Sequence, residues 1–283
     1  MISRECDEAG IVDSAPPQWS RSSDPAGGRS RGSQRAPDAI RVLCFPHAGG
    51  GASTFAAWRG QFGNGIEIHA VQYPGRETRW AEPRCDDMAT LVQSLAGDLA
   101  EFWQRPCAFL GHSFGALVAF ELACALQARG HQPLRLFLSG ARAPHLTPRE
   151  PIHALADAAF IQKVREFGGF QDEALHNAEL MQVMLPIVRA DFCALETHRF
   201  TTGTPLPIPI SVFGGLDDRT VPVADLLAWS ELTSKAFRSR FFAGDHFFLY
   251  REVAALVAHV AADLAASAPQ GAAANATGAR HAE

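Results

Sequence analysis

Three groups in this sequence have the types and the order for covalent acyl chemistry: Ser113, a carboxylate at Asp217 or Asp218, and His246. Ser113 is the centre of Gly111-His112-Ser113-Phe114-Gly115, a G-x-S-x-G pattern. A serine hydroxyl is a weak nucleophile at neutral pH. It needs a base to take its proton and a third group to orient that base. His246, in Gly244-Asp245-His246-Phe247-Phe248-Leu249, follows a strand-like run and suits the base. The acid precedes it in Gly214-Gly215-Leu216-Asp217-Asp218. A glycine three residues before the acid and an aliphatic residue three after it favour Asp218, framed by Gly215 and Val221. Asp217, framed by Gly214 and Thr220, is the alternative and otherwise reads as a solvated turn carboxylate. His112 reads as structural, its side chain directed away from Ser113. His47 has a place in a glycine loop where it would line a site, and the other histidines have no such context.

Each of these residues needs an element to hold it. Residues 107–110 form a short apolar run that reads as a buried strand. Residues 116–129 are rich in Ala, Leu and Glu and read as a helix stopped by Gly130. Strand, sharp turn, helix is the context a G-x-S-x-G nucleophile requires, because the turn strains the central residue and lifts its hydroxyl above the sheet. The following helix aims its first amides at the same spot, where they favour developing negative charge. The backbone amide of Phe114 is therefore one expected oxyanion donor. The other is expected at Ala48, in the loop Pro46-His47-Ala48-Gly49-Gly50-Gly51 after the first strand. A phosphate cradle is the rival reading of that loop, but no Gly-Lys-Ser/Thr follows and no G-x-G-x-x-G is complete.

Further strands are expected at 40–45, 66–72, 134–139, 209–213 and 237–242, and helices at 55–62, 86–103, 223–232 and 253–265. This alternation implies an α/β fold, a mostly parallel central sheet with helices on both faces. Residues 143–200 interrupt it with one helical segment carrying Leu155, Phe160, Ile161 and Val164, and another at 179–195 broken near Pro186. An insertion on the nucleophile's side reads as a lid over the site; a helical pair packed on the surface is the bland alternative. Phe160, Phe167, Phe170, Met181 and Met184 either line an apolar chamber or form the lid's own core. Residues 39–266 are the expected domain. Residues 1–38 are rich in Ser, Arg, Gly and Pro and read as a disordered extension, or as a start assigned too early. Residues 267–283 read as a disordered tail.

With 47% hydrophobic and 19% charged residues in 283, the chain has the composition of a domain with a packed core. The net charge of -5, with no basic stripe in the folded part, argues against nucleic acid as a partner. No apolar run approaches the ~18 residues that span a membrane, and the N-terminus lacks an apolar signal core. Six scattered cysteines show no C-x-x-C or zinc-like spacing, so free thiols are expected rather than disulfides. The expectation is a cytoplasmic monomer without a cofactor.

Six motifs together resemble a known family. They are Phe45-Pro46-His47-Ala48-Gly49-Gly50, Gln72-Tyr73-Pro74-Gly75-Arg76-Glu77, Gly111-His112-Ser113-Phe114-Gly115, Phe167-Gly168-Gly169-Phe170, Leu185-Pro186-Ile187-Val188-Arg189-Ala190-Asp191-Phe192 and Gly244-Asp245-His246-Phe247-Phe248-Leu249. The chain resembles a type II thioesterase, the stand-alone editing hydrolase of nonribosomal peptide and polyketide synthases, over residues 40–265. The resemblance implies an α/β-hydrolase fold with a helical lid and the catalytic set Ser113, Asp218 and His246. Ala48 and Phe114 map to the oxyanion amides. It implies a substrate held as a thioester on the phosphopantetheine arm of a carrier-protein domain, and removal of aberrant or stalled acyl groups.

Three rivals remain. A general carboxylesterase or lipase would share the triad but not the family loops. An acyltransferase acting on carrier proteins also uses Gly-His-Ser-x-Gly but would lack the later acid and histidine loops. A non-enzyme keeping the scaffold as a binding module would have no need of an intact Ser, Asp and His set.

Overall fold

In this computed structural model, residues 39–63, 65–169, 177–201 and 203–267 are described. The expected N-terminal extension, nearly all of the expected C-terminal tail and Phe170 lie outside them. Ser267, the first residue of that tail, is tied down: its hydroxyl donates to the Asp263 carbonyl at 2.9 Å and accepts from Arg135 Nε at 3.0 Å.

Six strands form one parallel sheet: β1 (Ile40–Phe45), β2 (Ile66–Ala70), β3 (Cys107–His112), β4 (Leu136–Ser139), β5 (Ile210–Gly215) and β6 (Phe237–Phe242). Their order is β2-β1-β3-β4-β5-β6, with every neighbouring pair parallel. From β1 the chain first steps outward to β2 and then returns to lay β3 on the other side of β1. The switch point between β1 and β3 opens a crevice at the carboxyl ends of those strands. Phe45 pairs with Gly111 there, so the glycine loop after β1 and the Ser113 turn after β3 leave the sheet side by side.

Alternation along the strands splits the core in two. Leu43, Phe45, Phe109, Leu136, Leu138, Ile210 and Val212 face α1 (Met88–Asp98) and α2 (Phe114–Gln127). Val42, Cys44, Ala108, Leu110, Phe137 and Phe213 face the other way, onto Phe55, Trp58 and α6 (Val253–Ala265). Strands covered on both faces read as continuous apolar runs, which is why β1 and β3 were legible. The Asp87 carboxylate caps α1 by accepting from the Thr90 amide at 2.8 Å.

Several expected elements are shorter or differently built. The strand expected to run to residue 72 ends at Ala70. The helix expected at 55–62 is a 3-10 segment at Ala52–Trp58. The helices expected at 86–103 and 223–232 each end in a 3-10 segment, Ala100–Gln104 after α1 and Ala228–Leu232 after α5 (Val223–Leu227).

The insertion carries α3 (Asp157–Glu166) and α4 (Ala178–Thr197). Pro186 does not break the second helix, contrary to the sequence reading. Proline removes one backbone donor from the helix ladder, but Ile187, Val188, Asp191 and Ala194 are buried directly after it and hold the helix together. Phe160, Val164, Val188 and Ile152 form a separate apolar cluster inside the insertion. No helix among the described residues is long and apolar enough to cross a membrane. The described cysteines, Cys44, Cys85, Cys107, Cys124 and Cys193, are free thiols.

Candidate active site

Ser113 sits between β3 and α2 with φ 54° and ψ -120°, a conformation that L-residues rarely adopt. Its neighbours leave no choice of residue. A Cβ on Gly111 would lie 2.2 Å from the Gly115 carbonyl oxygen, and one on Gly115 would lie 2.1 Å from that of Phe45. The end of β3, the start of α2 and the end of β1 therefore touch backbone to backbone. The Ser113 amide donates to the Ser139 carbonyl at 2.7 Å, which locks the turn onto β4.

The three separated groups come together. Ser113 Oγ lies 3.0 Å from His246 Nε2, and His246 Nδ1 lies 2.7 Å from Asp218 Oδ2. With the carboxylate accepting from Nδ1–H, the Nε2 lone pair faces the serine hydroxyl, the arrangement in which it takes that proton. Asp218 Oδ1 accepts from the Thr220 amide at 2.8 Å, the Thr220 hydroxyl at 2.6 Å and the Val221 amide at 3.2 Å. Burial works to raise its pKa; the bonds from His246 and Thr220, with the nearby imidazole, outweigh burial and hold it below the ordinary carboxylate value. Asp217 does something else. Its exposed carboxylate accepts from the Gly244 amide at 3.3 Å, and its own amide donates to the Gly244 carbonyl at 2.9 Å, tying the acid loop to the histidine loop.

Both residues expected to supply oxyanion amides line the same cavity as Ser113. Phe114 is the first residue of α2, where amides have no partner within the helix. The Ala48 amide has no hydrogen-bond acceptor among the described residues. Ala48, Ser113, Phe114 and His246 all line one cavity of about 260 Å³, which Phe167 and Val188 of the insertion also line. The insertion thus stands over the nucleophile as a lid. Phe160 is fully buried in the lid's own core, whereas Phe167 both packs against that core and lines the cavity.

Two histidines frame the site. His47 Nδ1 lies 2.9 Å from the Ala48 carbonyl and Nε2 lies 2.9 Å from the Tyr250 hydroxyl. Burial is the main cause lowering its pKa to about 4, so the ring is neutral. His112 Nδ1 lies 2.9 Å from Ser139 Oγ. Its ring packs against the His246 ring, 5.1 Å between centroids, as a support for the base. Burial, then the nearness of His246, keeps it neutral as well.

Sequence spacing gave no role to Thr220, Arg76 or Asp191. Thr220 had a local signal, a hydroxyl two residues after a turn aspartate. Arg76 and Asp191 are far apart in the chain and pair only in the fold.

A parallel sheet with a serine on a strained elbow at its switch point, and with acid and histidine loops after later strands, defines an α/β-hydrolase. The chain belongs to the thioesterase domain family, whose model matches residues 40–264. It is 39% identical over 213 residues to the gramicidin S biosynthesis protein GrsT of Aneurinibacillus migulanus, covering 75% of this chain and 83% of that one. RedJ, a thioesterase from the prodiginine biosynthetic pathway in Streptomyces coelicolor, superposes with a TM-score of 0.75 at 35% identity, covering 81% of this chain and 95% of RedJ. BorB, the type II thioesterase from the borrelidin biosynthetic cluster, superposes with a TM-score of 0.74 at 34% identity, covering 81% and 94%. These similarities group the chain with type II thioesterases.

Proposed function

We propose that this protein hydrolyses acyl thioesters held on the phosphopantetheine arm of carrier-protein domains, clearing aberrant or stalled acyl groups from a nonribosomal peptide or polyketide synthase. The observation that carries this reading is the Ser113–His246–Asp218 chain opening into a cavity roofed by an apolar lid. The pathway names of GrsT, RedJ and BorB support the carrier-bound substrate.

Ser113 Oγ attacks the thioester carbonyl while His246 Nε2 takes the hydroxyl proton. The tetrahedral oxyanion is stabilised by the amides of Ala48 and Phe114. The carbon–sulfur bond then breaks, and His246 returns the proton to the departing pantetheine sulfur. Water enters, gives a proton to His246 and attacks the Ser113 ester. Collapse of the second oxyanion releases the carboxylic acid and restores the serine hydroxyl. Asp218 stays ionised throughout and holds the imidazole in the productive tautomer. The unit of residues 39–266 acts as a cytoplasmic monomer without a cofactor.

The test is a comparison of one acyl group presented three ways: on a carrier protein, as a free oxygen ester, and on a carrier with a second thiol carrier as acceptor. Faster hydrolysis of the carrier-bound thioester supports the reading. Preference for the oxygen ester would make the protein a carboxylesterase, and net transfer to the second carrier would make it an acyltransferase.

A further inference from the structure

The glycine loop that bears Ala48 is held by side chains from two distant parts of the chain. The Ala52 amide donates to Gln72 Oε1 at 3.0 Å, and the Ser53 hydroxyl donates to Glu77 Oε1 at 2.6 Å. Arg76 Nη1 donates to the Gly50 carbonyl at 3.2 Å. The Gly49 amide donates to Asp191 Oδ2 at 2.7 Å. Asp191 lies on lid helix α4, where Arg76 grips it with Nη1–Oδ2 at 2.6 Å and Nη2–Oδ1 at 2.7 Å. This fork is sealed from water, with the two side chains 4% and 1% exposed.

These bonds fix the peptide planes around Ala48. The unit joining Ala48 to Gly49 is pinned at both ends, its carbonyl near His47 Nδ1 and its amide on Asp191. The unit before it is pinned through the His47 carbonyl, which accepts from the Gly50 amide at 2.9 Å. Among the described residues the Ala48 amide is what remains unpaired. Helix α4 also presses on the loop directly. A Cβ on Gly49, whose φ is +77°, would lie 2.6 Å from Val188 Cγ2. Val188 and Phe192 of the same helix line the cavity. One helix thus touches the acyl space with Val188 and Phe192 and the oxyanion loop with Asp191.

We infer that Asp191, gripped by Arg76, is a positioning residue for the oxyanion hole, and that the hole is complete only while lid helix α4 is seated. This rests on the assignment of Ala48 as an oxyanion donor in a thioester hydrolase. Seating α4 aligns the Ala48 amide. A displaced α4 takes the acceptor of Gly49 N–H with it, and the hydrolytic step waits for the lid to return.

A buried ion pair can often be exchanged for apolar residues of similar volume without loss of fold. The double variant Arg76→Met/Asp191→Leu therefore keeps the packing but removes the acceptor for Gly49 N–H, and Asp191→Asn keeps an acceptor without the charge. Wild type and both variants are assayed on acetyl- and octanoyl-pantetheine, with thermal midpoints in parallel. Loss of one oxyanion donor typically lowers rate by about 10²–10³. The expected result is a fall in kcat of about that size in the double variant, equal for both acyl groups, with KM within about threefold, and a smaller fall in Asp191→Asn. An effect confined to KM, or one that grows with chain length, would make the pair a lid anchor only and overturn the inference. Unchanged kcat in the folded double variant would overturn it too. A wild type inert on both thioesters would instead overturn the functional reading, and this inference with it.

Discussion

Asp218 and Asp217 are adjacent in the chain and point their carboxylates at different partners: Asp218 Oδ2 lies 2.7 Å from His246 Nδ1, while Asp217 Oδ2 lies 3.3 Å from the Gly244 amide. Only the first can orient the imidazole. Asp218→Asn leaves the shape of the loop but favours the wrong tautomer of His246, and it is expected to lower kcat by about 10⁴. Asp217→Asn still accepts from Gly244 and should stay within about tenfold of wild type. Steady-state kinetics of the two variants on one thioester checks this. The reverse ranking would move the acid to Asp217.

The elbow makes a prediction about folding. Gly115→Ala places a methyl group 2.1 Å from the Phe45 carbonyl oxygen, backbone against backbone, so no side chain can give way. The helix start must move off β1. A loss of stability at or beyond about 3 kcal/mol is expected, read as a lowered urea midpoint at unchanged slope. A near-neutral Gly115→Ala would mean that β1 and α2 are less closely packed than described.

The chemistry was more legible in the sequence than the scaffold's fine structure. Ser113, His246 and the framing of Asp218 by Gly215 and Val221 depend on local patterns, and local patterns survive in one dimension. Strand β1 was exact, because its buried part, Val42 to Phe45, is covered on both faces and so is an unbroken apolar run. Pro186 misled, since the burial that carries α4 through it comes from tertiary packing that no helix rule contains. Arg76 and Asp191 sat in two motifs without a role, because their pairing joins residues 115 positions apart. His112 was read as facing away from the chemistry, and its support of the His246 ring shows only in the fold.

Acid should loosen the fold before the carboxylates titrate. Burial lowers the His47 pKa to about 4, and burial with His246 nearby holds His112 well below its ordinary value. Unfolded, both return to near ~6.5. Below that pH the unfolded chain binds more protons than the folded one, so stability falls as pH drops from about 6.5 towards about 4, by up to about 1.4 kcal/mol per unit for each proton. Asp218, held low, adds stability that persists through this window and is lost only at lower pH. Urea midpoints at pH 7.5, 6.0 and 5.0 test this. His47→Gln should flatten the slope, and a profile unchanged by pH would contradict it.

The lid aromatics should separate stability from selectivity. Phe160 is fully buried under the Arg189 guanidinium, 4.2 Å from the ring centroid, and Phe160→Ala is expected to destabilise by about 3–5 kcal/mol. Phe167→Ala enlarges the cavity wall, so its expected signature is a shift of kcat/KM towards bulkier acyl groups with a smaller loss of stability. A chain-length series read against thermal midpoints distinguishes them. Equal effects of the two substitutions on both measures would mean that Phe167 acts through the lid core and does not shape acyl selectivity.

The most direct measurement is the intact mass of a carrier protein loaded with a short acyl group, incubated with wild type and, in parallel, with Ser113→Ala. Wild type should return the carrier to its free-thiol mass, and Ser113→Ala should leave the acyl group in place. Clearance of the acyl group by both proteins alike would contradict Ser113 as the nucleophile, and persistence with both would contradict hydrolysis of carrier-bound thioesters.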